Sequence, residues 1–173
     1  MTNNDILIRL RYALDIKDND MVEIFQLGDV DMTKEDVQKI LTKPVESYDF
    51  DSEEEYEQAL EKEEILPINN NKLEAFLNGF IIFKRGRQEP KSGQPEKPPF
   101  SNEPANNILL KKMKIALSLT TEDIIDILDE AGVTISKSEL GAFLRKNGHK
   151  NYKVFMDKYA RNFLKGLAFK YRH

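Results

Sequence analysis

The residue types able to do acid-base chemistry are few. The only internal histidine, His149, sits in Asn147-Gly148-His149-Lys150, a turn-forming run ahead of the last helical stretch, where an imidazole could in principle serve as a general base. It has no partner at a fixed spacing, and a lone histidine in a polar turn reads more simply as a surface residue. The other histidine, His173, is the last residue. Asp49-Phe50-Asp51 offers two carboxylates but lacks the glycine turn and terminal bidentate glutamate of a calcium loop. The chain has no GxGxxG, GxxxxGK[ST] or HExxH pattern, and zero cysteines exclude disulfides, thiolate metal sites and thiol catalysis. The residues therefore point to no catalytic group, no cofactor and no metal ligand, and the expectation is a protein that is not an enzyme, the alternative being an active site assembled from Asp, Glu, Lys and Tyr on separate helices, which leaves no linear motif.

The residue type that recurs in a pattern is the cation. Arg9 and Arg11 near the start correspond to Lys112 and Lys114 further on, and Lys84-Arg85 corresponds to Tyr171-Arg172. A second group, Lys137, Arg145 and Lys146, followed by His149 and Lys150, lies at or after the second of two helical stretches, 121–131 and 136–146. These are joined through Gly132-Val133-Thr134-Ile135 in the outline of a helix-turn-helix, which makes nucleic acid a candidate partner. Arrays of this kind neutralise phosphates, and binding through them weakens steeply with salt. The competing reading is that these cations are the solvated side of amphipathic helices, favoured near helix C-termini by the macrodipole.

The elements that must position these residues come from an internal duplication. Residues 3–43 and 106–146 align without a gap at a constant offset of 103, with identities such as Asn3/Asn106, Asn4/Asn107, Leu7/Leu110, Ile24/Ile127 and Lys43/Lys146. Apolar residues recur at helical spacing in each copy, as in Ile6, Leu7, Leu10 and Leu14 against Leu109, Leu110, Met113 and Leu117. The asparagine pairs stand where N-caps are wanted and are read as caps. A second helix covers about 18–27 and 121–131 and is stopped at Gly28 and Gly132; a third opens at Thr33 and at Ser136, the latter with Glu139 completing a capping box.

A closing helix aligns at a different offset, 87, through Phe76-Leu77-Asn78-Gly79 and Phe163-Leu164-Lys165-Gly166. The first copy thus carries a 16-residue insertion, read as a short exposed helix begun by Ser52. Gly79 and Gly166 interrupt apolar helices, which asks for close approach of another helix. Phe76, Phe80, Phe83, Tyr159, Phe163 and Phe169 fall at helical spacing beside Leu and Ile and read as core or inter-repeat contact. The organisation is a first repeat over 1–85, a proline-rich linker over 86–105, and a second repeat over 106–173, giving an all-α fold of two units of about four helices each.

Net charge of −4 hides an asymmetry. Residues 1–100 carry 13 Lys/Arg against 22 Asp/Glu, and residues 101–173 carry 13 against 8. The acidic excess is confined to 46–64, where ten carboxylates face one Lys62. Overall acidity is therefore a weak argument against an anionic partner. No apolar run approaches the length of a membrane span, and Met1-Thr2-Asn3-Asn4-Asp5 lacks the features of a signal peptide, so a cytoplasmic location is expected.

The paired blocks NNDILIRLRYALDIKD and NNILLKKMKIALSL, with ISKSELGAFLRK, FLNGFIIFKRG and RNFLKGLAFKYR, resemble the YehS-like bacterial family, domain of unknown function 1456, in two tandem copies. The likeness spans nearly the whole chain and breaks only at the acidic insertion and the proline linker. It implies a small bacterial cytoplasmic protein and carries no catalytic residues over. The functional expectation is a non-enzymatic interaction module, regulatory or adaptor-like, with a protein or a nucleic acid as its partner.

Overall fold

The computed structural model describes residues 1–87 and 99–172, in which the regular structure is entirely helical. The first repeat contains α1 (Asn3–Leu14), α2 (Asp18–Leu27), α3 (Lys34–Leu41), a 3-10 turn (Ser47–Asp49), α4 (Glu53–Lys62) and α5 (Asn70–Arg85). The second contains α6 (Ala105–Ala116), α7 (Thr121–Glu130), α8 (Lys137–Leu144) and α9 (Asp157–Tyr171). Thr2, Thr33, Thr120 and Ser136 each close a capping box, with Asp5, Asp36, Asp123 and Glu139 respectively. Each box satisfies amides that the first helical turn leaves without a partner, a stabilisation of about 1 kcal/mol.

The asparagine pairs are not caps. Thr2 holds the cap of α1 and Pro104 that of α6, so the asparagines fall inside the first turn, where their amides are free for longer-range bonds. Asn107 is fully buried and spans two segments: its Nδ2 donates to the carbonyls of Phe143 (3.1 Å) and Lys153 (3.0 Å), and its Oδ1 accepts the Phe155 N–H (2.8 Å). Asn4 repeats the pattern with Ile40, Leu66 and Ile68. In both repeats this one side chain ties the end of the third helix to the extended segment that leads into the closing helix.

The repeats pack against each other reciprocally. α1 lies on α9, and its counterpart α6 lies on α5, the counterpart of α9. Met1 at the start of α1 reaches Asp157 at the start of α9, while Arg172, just beyond α9, reaches the Tyr12 carbonyl near the end of α1. These two helices therefore run side by side in the same sense. First helix on the other repeat's closing helix, twice, is the self-complementary pattern of a two-fold interface, here within one chain. A single apolar cluster runs through both repeats, from Leu7, Phe25 and Phe76 to Leu110, Phe155 and Phe163.

Gly79 and Gly166 have the close approach their placement asks for. A methyl at Gly79 would run into the Ile24 carbonyl of α2, and one at Gly166 into the Ile127 carbonyl of α7. α2 ends at Gly28, whereas α7 is capped by Ala131 with Gly132 one position later at φ 93°. Of the six aromatics placed in the core or between the repeats, Phe76, Phe80 and Phe163 are fully buried, while Phe169 is 42% exposed beneath Lys165.

The acidic insertion forms α4, begun by Ser52, whose hydroxyl accepts the Glu55 N–H. None of its residues is buried, and it packs on the 3-10 turn. Of the proposed linker, residues 88–98 lie outside the described residues; its C-terminal end is anchored. The Ser101 N–H and hydroxyl donate to Glu74, which is 2% exposed, and Glu103 is buried beside Lys111 and Tyr152. No helix among the described residues is long and apolar enough to cross a membrane.

Candidate nucleic-acid interface

The ten cations selected from the sequence divide into those held by the protein and those turned to solvent. Arg85 and Arg172 are held. The Arg172 guanidinium donates to the Tyr12 carbonyl at 2.9 Å and lies 4.1 Å over the Tyr12 ring, and Arg85 donates to the Ile115 carbonyl at 3.1 Å. Tyr12 and Ile115 are equivalent positions of the two repeats, so each arginine fastens its closing helix to the last turn of the other repeat's first helix. A guanidinium is favoured there by the partial negative charge of a helix C-terminus.

Lys112 is also turned inward, its Nζ 3.9 Å from Glu74. Desolvation pushes its pKa below the usual lysine value, partly offset by Glu74 and Glu103. Arg11 meets Asp18 at 3.4 Å, Lys137 meets Glu122 at 3.2 Å, and Lys84 lies over the Phe80 ring. Lys114 is half-buried, and Arg9 is exposed on α1. Arg145 and Lys146 are exposed where α8 ends, and neither has a carboxylate within 4 Å among the described residues.

Around Arg145 and Lys146 the structure assembles a larger basic face than the spacing suggested. Between α8 and the following loop lies an open polar groove of about 420 Å³ whose lining includes Glu139, Arg145, Lys150, Asn151, Tyr152 and Lys153. Its floor is fixed from below. Lys111 bridges Glu103 and the Arg145 carbonyl, and the Tyr152 hydroxyl donates to Glu103. Burial, with Glu103 beside it, pushes the Tyr152 phenol up to about 12, so it stays a neutral donor through the physiological range. The Asn107 bonds to Lys153 and Phe155 hold the loop's far end.

Beyond the groove, Lys158, Arg161 and Lys165 continue the face along α9 at i, i+3, i+7 spacing, all exposed. Residues 145–172 hold nine Lys/Arg against one acid, Asp157. That carboxylate is occupied: the N-terminal ammonium and the Asn106 amide hydrogen-bond to it and hold its pKa below the usual value. Lys153, Lys158, Arg161 and Lys165 escape a search based on pairs shared by the repeats, because their first-repeat equivalents are Leu66, Asn71, Glu74 and Asn78. A running charge count over the last thirty residues is the signal that finds them.

His149 is exposed, and its Nδ1 accepts the Asn151 N–H at 3.0 Å, so it shapes the turn. Among the described residues no group of three His, Cys, Asp or Glu side chains is arranged to hold a metal ion. The arrangement places guanidinium and ammonium donors beside Ser138, Asn151 and the Glu139 carboxylate.

Comparison with known proteins is consistent with the repeat structure. The chain is 38% identical over 169 residues to the uncharacterized protein YehS of Escherichia coli (strain K12), an alignment covering 97% of this chain and 95% of that protein. No solved structure matches the chain. The family model described as protein of unknown function (DUF1456) matches it twice, over residues 3–86 and 106–173. The two matched segments bracket the reciprocally packed halves, and the chain belongs to the DUF1456 family.

Proposed function

We propose that the protein is a non-enzymatic, cytoplasmic interaction module whose second repeat holds a nucleic acid by its phosphates. The observation that carries this reading is the basic face in which Arg145, Lys150 and Lys153 line an open polar groove alongside one carboxylate, Glu139, with Lys146 exposed next to Arg145, and none of the four cations has an ion-pair partner among the described residues. Two buried polar side chains support it too, since Asn107 and Glu103 hold the loop that carries Tyr152 and Lys153 in place. Phosphate contacts act locally, with the field screened over about 8 Å at physiological salt, and among the described residues no carboxylate of the acidic 46–64 segment is paired with a cation of the face.

The test is fluorescence anisotropy of short labelled RNA and DNA with the full chain over a salt series. Lys150→Glu combined with Lys153→Glu alters two exposed side chains and should leave folding intact. Affinity should fall at least about tenfold, and the slope of log K against log salt should flatten by about 1.5–2, as expected for two lost phosphate contacts. Unchanged affinity in the double variant, or no binding by the wild type at low salt, refutes the reading. Reversing Lys112 would be a poor substitute, because that side chain pairs with Glu74 inside the fold.

A further inference from the structure

The two strongest charge concentrations occupy related places and do not meet within the chain. The acidic segment 46–64 and the basic loop beginning at Arg145 both follow the third helix of their repeat and precede its closing helix. The acidic segment is the insertion of the first repeat, and the basic loop runs on into α9, the counterpart of α5. Among the described residues no ion pair joins 46–64 to 145–172; Glu64 meets Lys39 instead.

The two surfaces also match in pattern. Along α4, Glu54, Glu57 and Glu61 are exposed at i, i+3, i+7 spacing; along α9, Lys158, Arg161 and Lys165 repeat that spacing. Each row rises about 10 Å along its helix, so three opposite charges can face one another at one register. Apolar groups flank both rows. Tyr48 and Leu60 are 83% and 40% exposed beside the acidic row, and Val154 and Met156 are 49% and 63% exposed beside the basic one. Phe155 between them is fully buried, as expected of an extended segment whose alternate side chains point the same way. A ten-residue helix with no buried residue is marginal alone, and it gains most from a surface to lie on.

We propose that the basic and apolar face formed by Val154, Met156 and the Lys158–Arg161–Lys165 row is the docking site for α4 of a second copy of this chain. One chain carries both surfaces, so a two-fold dimer in which α4 of each copy lies on α9 of the other makes the contact twice and closes. The contact uses the α9 end of the basic face whose groove end, at Lys150 and Lys153, tests nucleic-acid binding, and its own test contains no nucleic acid.

Sedimentation velocity of the full chain should show a mass twice 20.1 kDa at about 20 mM salt and a monomer at about 0.5 M, where the Debye length shrinks from about 20 to about 4 Å. Two charge-reversed variants locate the contact: Lys158→Glu/Arg161→Glu/Lys165→Glu, and Glu54→Lys/Glu57→Lys/Glu61→Lys. Each alone should be monomeric at low salt, since like charges then face each other. Mixed in equal amounts they should form a heterodimer, which also shows that both are folded. A wild type that stays monomeric at low salt up to about 0.1 mM, a dimer that survives high salt or either reversal, or a mixture that stays monomeric would each overturn the proposal.

Discussion

Replacing Asn107 by alanine should be among the most damaging single changes in this protein. The side chain is 0% exposed and makes three bonds to backbone, at 3.1, 3.0 and 2.8 Å. At about 1 kcal/mol net for each bond the loss is about 3 kcal/mol, and stranding two carbonyls and an N–H in a dry interior takes it to about 3–5 kcal/mol. That is a large share of the roughly 5–15 kcal/mol by which a domain is stable. Asn4 makes the equivalent bonds in a half-buried setting, where water can replace part of them, so Asn4→Ala should cost about 1.5–3 kcal/mol. Asn106, with one bond to Asp157, should cost under about 1 kcal/mol. Urea denaturation of the three variants at neutral pH gives the order directly. Asn107→Asp adds a sharper check, because it keeps one acceptor and sets a carboxylate against two carbonyl oxygens. It should destabilise at least as much as alanine at pH 7, with partial recovery as pH falls through the raised folded-state pKa and the protonated group can donate. An Asn107→Ala cost no larger than that of Asn106→Ala would refute the reasoning.

Two further predictions concern backbone approach and pH. Gly166→Ala should destabilise by about 2–4 kcal/mol, because the added methyl meets the Ile127 carbonyl. Gly141→Ala within α8, where nothing lies within 4 Å of the added carbon, should stabilise by about 0.5–1 kcal/mol through helix propensity, and thermal melts of the pair should move in opposite directions. For Asp157, bonds from the N-terminal ammonium and Asn106 lower the folded-state pKa, so its stabilisation is complete above the unfolded value near 3.8 and is lost as pH falls through the folded one. Asp157→Asn should therefore flatten the acid limb of the stability curve, and an unchanged limb would remove this carboxylate from the account.

How much of this was legible in the sequence depends on the range of the interaction involved. Helical spacing and the capping box at Ser136 are encoded within a few residues, and the structure shows them where the pattern placed them. The close approach at Gly79 and Gly166 was readable because a glycine in an apolar helix demands a compensating contact. Asn4 and Asn107 were misread because an asparagine at a helix start satisfies the local rule for a cap, while its actual partners lie 36 to 64 residues away. Arg85 and Arg172 show the same limit. Their recurrence in both repeats is real, and the structure assigns it to fastening the repeats together, a role that uses recurrent charge as readily as ligand binding would.

That contrast bears on where function lies in a duplicated fold. Much of what the repeats share holds the fold together: the buried asparagines, the helix-fastening arginines, and the glycines under α2 and α7. A partner-binding surface common to both copies would have to be built from shared exposed residues, and the shared cations Arg85, Arg172 and Lys112 are engaged within the fold. The copies differ most in the stretch between third and closing helix, where one carries ten carboxylates and the other a basic loop running into a basic helix. The charged side chains of these stretches lie outside the core, since α4 buries no side chain and Lys146, Lys150 and Lys153 are exposed, while Phe155 of the basic loop is buried in it. Charge at positions the fold does not require is free to be set by a partner, and for this reason the binding assays above are aimed at what the two halves do not have in common.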